Sequence, residues 1–196
     1  MFRNTEVITK PSPADPLFTL GLLKDHVRDH RPTSDAILST YMQAAEAQLD
    51  GKDGVLGMSL KTQVLEHTYS TRDDSCYITK VLVPYGPIQS IDAVSLDGAT
   101  LASTDYETYK DLGVTYLKIS EPGAGNLVVR ATQGYGDAVD VPDNIRLAAA
   151  ILAAEMFKHR AQTLSGPAEL IQLVPLFDQI IQANTRVGRT FEGYHS

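Results

Sequence analysis

The sequence predicts an α+β fold, with helices at both ends of the chain and an antiparallel β-sheet or meander between them. Apolar residues recur at helical spacing in residues 20–50 and again from residue 145 onward. Residues 62–132 instead carry β-branched and aromatic runs that are separated by turn sequences, as antiparallel strands do. Because helices and strands are segregated along the chain, the pattern argues against a parallel βαβ fold.

Length, composition and charge limit the classes of function that the protein can have. The 196 residues fit one domain, predicted over residues 1–183, with an extended lead at residues 1–16 and a C-terminal arm at residues 184–196. The single cysteine, Cys76, cannot form an internal disulfide, and no apolar run approaches the roughly 20 residues that span a membrane. These features predict a soluble cytoplasmic protein. The net charge of −7, without a Lys/Arg cluster, argues against tight binding of duplex DNA.

The N-terminal part of the chain predicts a strand and then a short helix. The strand is expected around Glu6–Thr9, within the proline-containing lead. Thr19 carries a hydroxyl that can cap a helix, and the helix is predicted from Leu20 to about Asp29. The apolar residues expected to face inward are Leu20, Leu23 and Val27.

A second, longer helix is predicted to end near Asp50. Thr33 or Ser34 is expected to cap its start, and Gly51 follows its end as a helix stop. The predicted apolar stripe repeats at helical spacing and consists of Leu38, Tyr41, Ala45 and Leu49, flanked by Ile37 and Ala44.

The middle of the chain predicts a series of strands. Asp97-Gly98 is a strong hairpin signal, because both residue types tolerate the positive φ angles of a tight turn. Other turn sequences lie at residues 72–75, 84–87 and 121–125. The predicted strands are Thr62–Tyr69, Tyr77–Val83, Ile88–Leu96, Leu101–Tyr109, Val114–Ile119 and Leu127–Thr132.

The stretch after the last of these strands predicts the core helix. Gly134-Tyr135-Gly136 breaks the strand, because glycine adopts backbone angles that other residues avoid. Pro142 suits the first turn of a helix, and Asp143 brings a carboxylate to the positive end of the helix dipole. The predicted inward face consists of Ile145, Ala148, Ala149, Leu152 and Met156.

The C-terminal part predicts one more helix and an arm. The helix is expected over Ala168–Ala183, kinked or split at Pro175. Residues 185–196 have no regular period but carry Phe191 and Tyr194, and aromatic residues in an extended end favour docking to a partner over a free terminus. The apolar face of the predicted helix consists of Leu170, Leu173, Val174, Phe177 and Ile181.

No catalytic constellation stands out. His26 and His30 have a spacing that can hold zinc, but nothing points to a third ligand among His67, His159 and His195, so a solvated helix face is favoured. Gly134-Tyr135-Gly136 is followed by aspartates that would repel phosphate, which favours a tight turn over a nucleotide loop. No Gly-x-Ser-x-Gly elbow occurs. The sequence therefore predicts no enzyme, metal or cofactor.

Several short motifs occur along the chain in a fixed order: Phe18-Thr19-Leu20, Thr33-Ser34-Asp35, Pro87-Ile88-Gln89-Ser90-Ile91, Asp97-Gly98, Asp105-Tyr106, Gly134-Tyr135-Gly136-Asp137 and Val141-Pro142-Asp143. The order of these motifs resembles that in the head–tail connector (adaptor) proteins of tailed phages and of gene transfer agents, and the resemblance covers roughly Leu17–Arg160. One departure is that Met156–Arg160 replaces the aromatic pair and Glu-Asn-Arg that many members carry late in the core helix.

The resemblance implies a structural protein of a virion or phage-like particle, situated at the head–tail junction and assembled in the bacterial cytoplasm. Such adaptors form a ring, usually a dodecamer, beneath the portal protein. They extend the DNA channel and bind a stopper or tail connector below. DNA would pass through the lumen without specific binding, and an acidic lumen would keep it mobile. No catalysis, cofactor or membrane contact is implied.

The resemblance also implies where partners bind. The portal-binding arm would comprise Arg186, Val187, Arg189, Thr190, Phe191 and Tyr194. The loops that face neighbouring subunits or the tail would comprise Arg72, Asp73, Asp74, Asp97 and Gly98. A phage tail or baseplate structural module and an enzyme with an unrecognised site are the alternative classes.

Overall fold

The computed structural model describes residues 2–12, 15–70, 77–111 and 113–158, which divide into a strand unit and a helical unit. The strand unit comprises the described parts of residues 1–11 and 61–135, and the helical unit the described parts of residues 12–60 and 136–196. Helices and antiparallel sheets therefore occupy separate units, and the predicted α+β class is confirmed.

The described strands of the strand unit form two antiparallel sheets. Its described strands are β1 Phe2–Thr9, β2 Gln63–Ser70, β3 Ile78–Val83, β4 Ile88–Leu96, β5 Ala99–Thr100, β6 Tyr106–Asp111, β7 Val114–Gly123 and β8 Asn126–Gln133. One sheet has the strand order β1-β2-β8-β4-β5, and the other has the order β3-β7-β6. Some strands therefore pair with partners that are distant in the sequence, since β8 lies between β2 and β4.

Three strands have limits that differ by several residues from the sequence prediction. Strand β1 begins at Phe2, four residues before the predicted start at Glu6, because its first residues pair with β2 as far as Tyr69. Strand β6 begins later, at Tyr106, because the preceding residues form a turn in which the Asp105 carboxylate accepts the N–H of Ala102 at 2.9 Å. Strand β7 continues to Gly123, through a predicted turn, because Ile78 of β3 pairs with that residue. The lengths of these strands are thus fixed by turn chemistry and by the partner strand.

Both sheets contribute to an apolar core within the strand unit. Alternate residues of β8 point into it and are completely buried, as expected for a strand with one face inward. Burial of the larger apolar side chains among them, Leu127 and Val129, is worth about 1.5–3 kcal/mol each. The buried members of this core are Tyr69, Ile78, Val81, Val83, Val94, Leu117, Ile119, Leu127, Val129 and Ala131.

The described helices of the helical unit are α1 Leu20–Val27, α2 Asp35–Leu49 and α3 Asp143–Lys158. Thr19 caps α1 as predicted, since its hydroxyl oxygen accepts the N–H of Leu22 at 3.2 Å. Ser34 occupies the capping position of α2 but makes no capping bond. Its hydroxyl instead donates to the Asp29 carboxylate at 2.9 Å.

Helix α3 is the core helix that the sequence predicts. Its predicted inward residues Ile145, Ala148, Ala149, Leu152 and Met156 are all buried, as are four more of its residues. The buried stripe of α2 differs from the prediction at one position. That stripe consists of Leu38, Met42, Ala45 and Leu49, while Tyr41 is half-buried and meets Phe157 edge-on at 6.1 Å. None of the helices among the described residues has the length and apolarity to cross a membrane.

Candidate interaction surfaces

Most of the predicted interface residues fall outside the part of the chain that the structure describes. The described pair is Asp97-Gly98. The predicted helix Ala168–Ala183 and the limits of the predicted domain and arm also lie beyond the described residues. The predicted interface residues that lie outside the described part of the chain are Arg72, Asp73, Asp74, Arg186, Val187, Arg189, Thr190, Phe191 and Tyr194.

Asp97-Gly98 forms the tight hairpin turn that the sequence predicts, with φ angles of 47° and 82°. The Asp97 carboxylate accepts the N–H of Asn126 at 2.8 Å, and the Asp97 N–H donates to the Asn126 carbonyl at 2.9 Å. The carboxylate also lies so close to Gly125 that a side chain there would collide with it. The turn is exposed, but its carboxylate is bonded within the sheet, so its role as a partner-facing loop stays a prediction.

The zinc site on α1 that the sequence analysis weighed and disfavoured lacks its geometric basis. Helix α1 ends at Val27, because Arg28 takes a left-handed conformation with φ of 55°. His30 therefore follows the helix and does not share one of its faces with His26. Within the described residues, no group of three or more His, Cys, Asp or Glu side chains has the arrangement that holds a metal ion.

His67 is buried and neutral inside the strand unit. Its Nδ1 atom is 2.9 Å from the Thr5 hydroxyl, and its Nε2 atom donates to the Gln133 side-chain oxygen at 2.6 Å. The Gln133 amide group in turn donates to the carbonyls of Pro84 and Tyr85, both at 3.1 Å. Burial lowers the pKa of His67 to about 4. Both ring nitrogens are engaged in this network, which ties β1, β2 and β8 together.

A lysine lies over two stacked tyrosines on the sheet β3-β7-β6. The Tyr109 and Tyr116 rings are 5.5 Å apart at an interplanar angle of 19°, and the Lys80 ammonium lies 4.0 Å from the centre of the Tyr116 ring. A hydrogen bond to Tyr109 raises the pKa of Lys80. These three residues, the Lys80 cluster, combine a cation with aromatic faces on one sheet. The sequence does not indicate this cluster, because its residues meet only through the pairing of three strands.

The helical unit carries an apolar groove of about 520 Å³, the α1–α3 groove. Its lining includes Leu17, Phe18, Leu22, Val139, Arg146 and Leu147. The Asp15 carboxylate accepts the N–H of Ala138 at 2.9 Å and so joins the segment before α1 to the short helix before α3. Three large apolar side chains of the lining remain exposed: Leu22 by 41%, Val139 by 74% and Leu147 by 40%. Exposed apolar side chains gathered at one groove indicate a binding surface.

The fold has counterparts among solved structures. A chain in the virion of a native gene transfer agent (GTA) particle matches with a TM-score of 0.70 and 17% identity, over 97% of this chain and 99% of that chain. A chain in the neck of an empty GTA particle, computed with C6 symmetry, matches with a TM-score of 0.65 and 17% identity, over 91% of this chain and 95% of that chain. The likeness establishes a shared fold. No protein-family model and no curated protein matches the sequence.

Proposed function

We propose that this protein is a structural head–tail adaptor of a phage-like particle, which forms a ring beneath the portal and extends the DNA channel. The observation that carries the proposal is the fold likeness to a chain of a GTA virion over 97% of this chain. The likeness to a chain of a GTA neck supports the head–tail junction in particular. The motif series from Phe18 to Asp143 supports the same family from the sequence alone.

The charge of the chain fits a channel subunit better than a DNA-binding protein. With a net charge of −7, a ring of many copies repels the phosphate backbone and lets DNA pass without specific binding. A closed ring needs two different, complementary patches on each subunit. The protein is proposed to bind itself in a ring, usually twelvefold in this family, the portal on one side, and a stopper or tail connector on the other.

The first test of the proposal is the mass of the purified protein, alone and mixed with the portal of the same particle. We expect a complex on the scale of a dodecamer, either in the protein alone or on the portal. A strict monomer that ignores the portal would contradict the adaptor function and favour a tail or baseplate module. Light scattering and native mass spectrometry distinguish these outcomes.

The proposed portal-binding arm gives a second test. A chain that ends after Ala183 is expected to lose portal binding, because the aromatic anchors Phe191 and Tyr194 are removed. In the full chain, Phe191→Ala or Tyr194→Ala is expected to weaken binding about 30-fold, the effect of losing about 2 kcal/mol at a hot spot. Thr185→Ala, in the same segment but outside the proposed contacts, is the matched control. Normal portal binding by the shortened chain would refute the arm assignment.

A further inference from the structure

The α1–α3 groove is built to receive an apolar segment. Its exposed apolar side chains, Leu22, Val139 and Leu147, come from three separate stretches of the helical unit and converge on one volume of about 520 Å³. The Arg146 guanidinium pairs with the Asp143 carboxylate through one terminal nitrogen, whereas its Nε atom is buried beside the groove and has no hydrogen-bond partner among the described residues. An occupant with an apolar face and a carboxylate at its border matches both features.

The chain itself contains such a segment. Leu170, Leu173, Val174, Phe177 and Ile181 form one face of the helix predicted over Ala168–Ala183. Asp178 borders that face, between Phe177 and Ile181. We propose that the α1–α3 groove is the docking site of residues 168–183 of the same chain, with Phe177 and Ile181 against Leu147 and with Asp178 near Arg146.

The length of chain beyond α3 fits this docking. From Leu147 to the end of α3 at Lys158 the helix rises about 17 Å. Residues 159–167, when extended, span up to about 30 Å, which leaves room for the chain to reverse. A helical segment over residues 168–183 rises at most about 24 Å, so a return antiparallel to α3 can bring Ile181 to the groove at the start of α3. The kink or break predicted at Pro175 precedes Phe177, Asp178 and Ile181, so these three residues stay on one continuous helical piece.

The docking has a consequence for the arm. Residues 184–196 would leave the helical unit at the groove, at a fixed point, instead of at the end of a long free segment. The inference does not rest on the proposed function, because a protein that never bound a portal would still fill its own groove.

A disulfide between the groove and the segment tests the proposal in the full chain. In a Cys76→Ser background, Leu147→Cys is combined with Ile181→Cys. The matched control combines Leu147→Cys with Gln179→Cys, on the opposite side of the predicted helix. Under mild oxidation we expect a closed monomer to form at least fivefold faster with Ile181→Cys than with Gln179→Cys, at a rate independent of dilution. Non-reducing electrophoresis and intact mass follow the reaction.

Every other outcome of this experiment overturns the proposal. Cross-linked dimers as the main product would mean that the segment of a second copy fills the groove. Equal rates for both pairs, or no closure with either, would mean that the groove receives a different partner.

A second variant pair tests the docking without cysteines. Leu147→Glu introduces a charge at the groove, whereas Ile37→Glu introduces one at a side chain that is 44% exposed on α2 and does not line the groove. We expect amide exchange in residues 168–183 to become at least tenfold faster in Leu147→Glu and to stay unchanged in Ile37→Glu. Unchanged exchange in Leu147→Glu would contradict the docking.

Discussion

Gly134→Ala is expected to destabilise the protein by about 3 kcal/mol or more, the cost of combining a steric clash with a strained backbone. Gly134 has a φ of 115°, which side chains rarely adopt, and a Cβ there would overlap the backbone carbonyl of Lys61. The backbone cannot move aside easily. The Gly134 N–H donates to the Pro87 carbonyl at 2.8 Å, and its carbonyl accepts from Gln89 at 2.9 Å.

Urea unfolding of Gly134→Ala beside Gly98→Ala measures this effect. Gly98 has a similar positive φ, 82°, but an added Cβ would meet open space. Gly98→Ala is therefore expected to cost only about 1 kcal/mol, the penalty for a left-handed alanine. If the two variants lost the same free energy of unfolding, the close approach of Gly134 to Lys61 would contribute nothing to the destabilisation.

Acid is expected to destabilise the protein through His67, by up to about 3 kcal/mol, because burial holds the pKa of this histidine well below its ordinary value. The folded protein holds this pKa at about 4, whereas the unfolded chain has the ordinary value of 6.5. Between these pH values the unfolded state binds more protons than the folded state. Stability is therefore full above pH 6.5 and falls progressively as the pH approaches 4.

The free energy of unfolding, measured in urea at several pH values from 7 to 4, tests this expectation. His67→Gln is expected to be less stable at pH 7, because the bonds to Thr5 and Gln133 are disturbed, but to lose less stability between pH 6.5 and 4. His26→Gln, at an exposed position on α1, is the matched control and should keep the wild-type slope. If the unfolding free energy of His67→Gln fell with pH as steeply as that of the wild type, the acid effect would come from groups other than His67.

Features that depend on local chemistry were predicted from the sequence. The Thr19 cap, the turn at Asp97-Gly98 and the inward face of α3 are set by residues within a turn or two of each other. Ser34 shows the limit of such signals, because its hydroxyl has a competing acceptor in Asp29. The Asp29 carboxylate also accepts from the Arg31 guanidinium, and these bonds hold its pKa well below its usual range.

Features that depend on pairing across the sequence were not predictable. The partition of the strands into two sheets requires the registers of β3, β6 and β7, and the Lys80 cluster follows from those registers. His67 lies in a recognisable strand, but its partner Thr5 is far away in sequence. The α1–α3 groove joins Asp15 to Ala138, so neither half indicates it alone.

The position of β8 between β2 and β4 has a consequence for folding during synthesis. Both neighbours leave the ribosome before β8, so a nascent chain that stops short of Asn126 holds two strands without the one that joins them. The helical unit has the same order of synthesis, because α1 and α2 are made long before α3, which packs against both. Among the described elements, each unit is completed by the one that is made last, which predicts late, cooperative folding rather than stepwise folding from the N terminus.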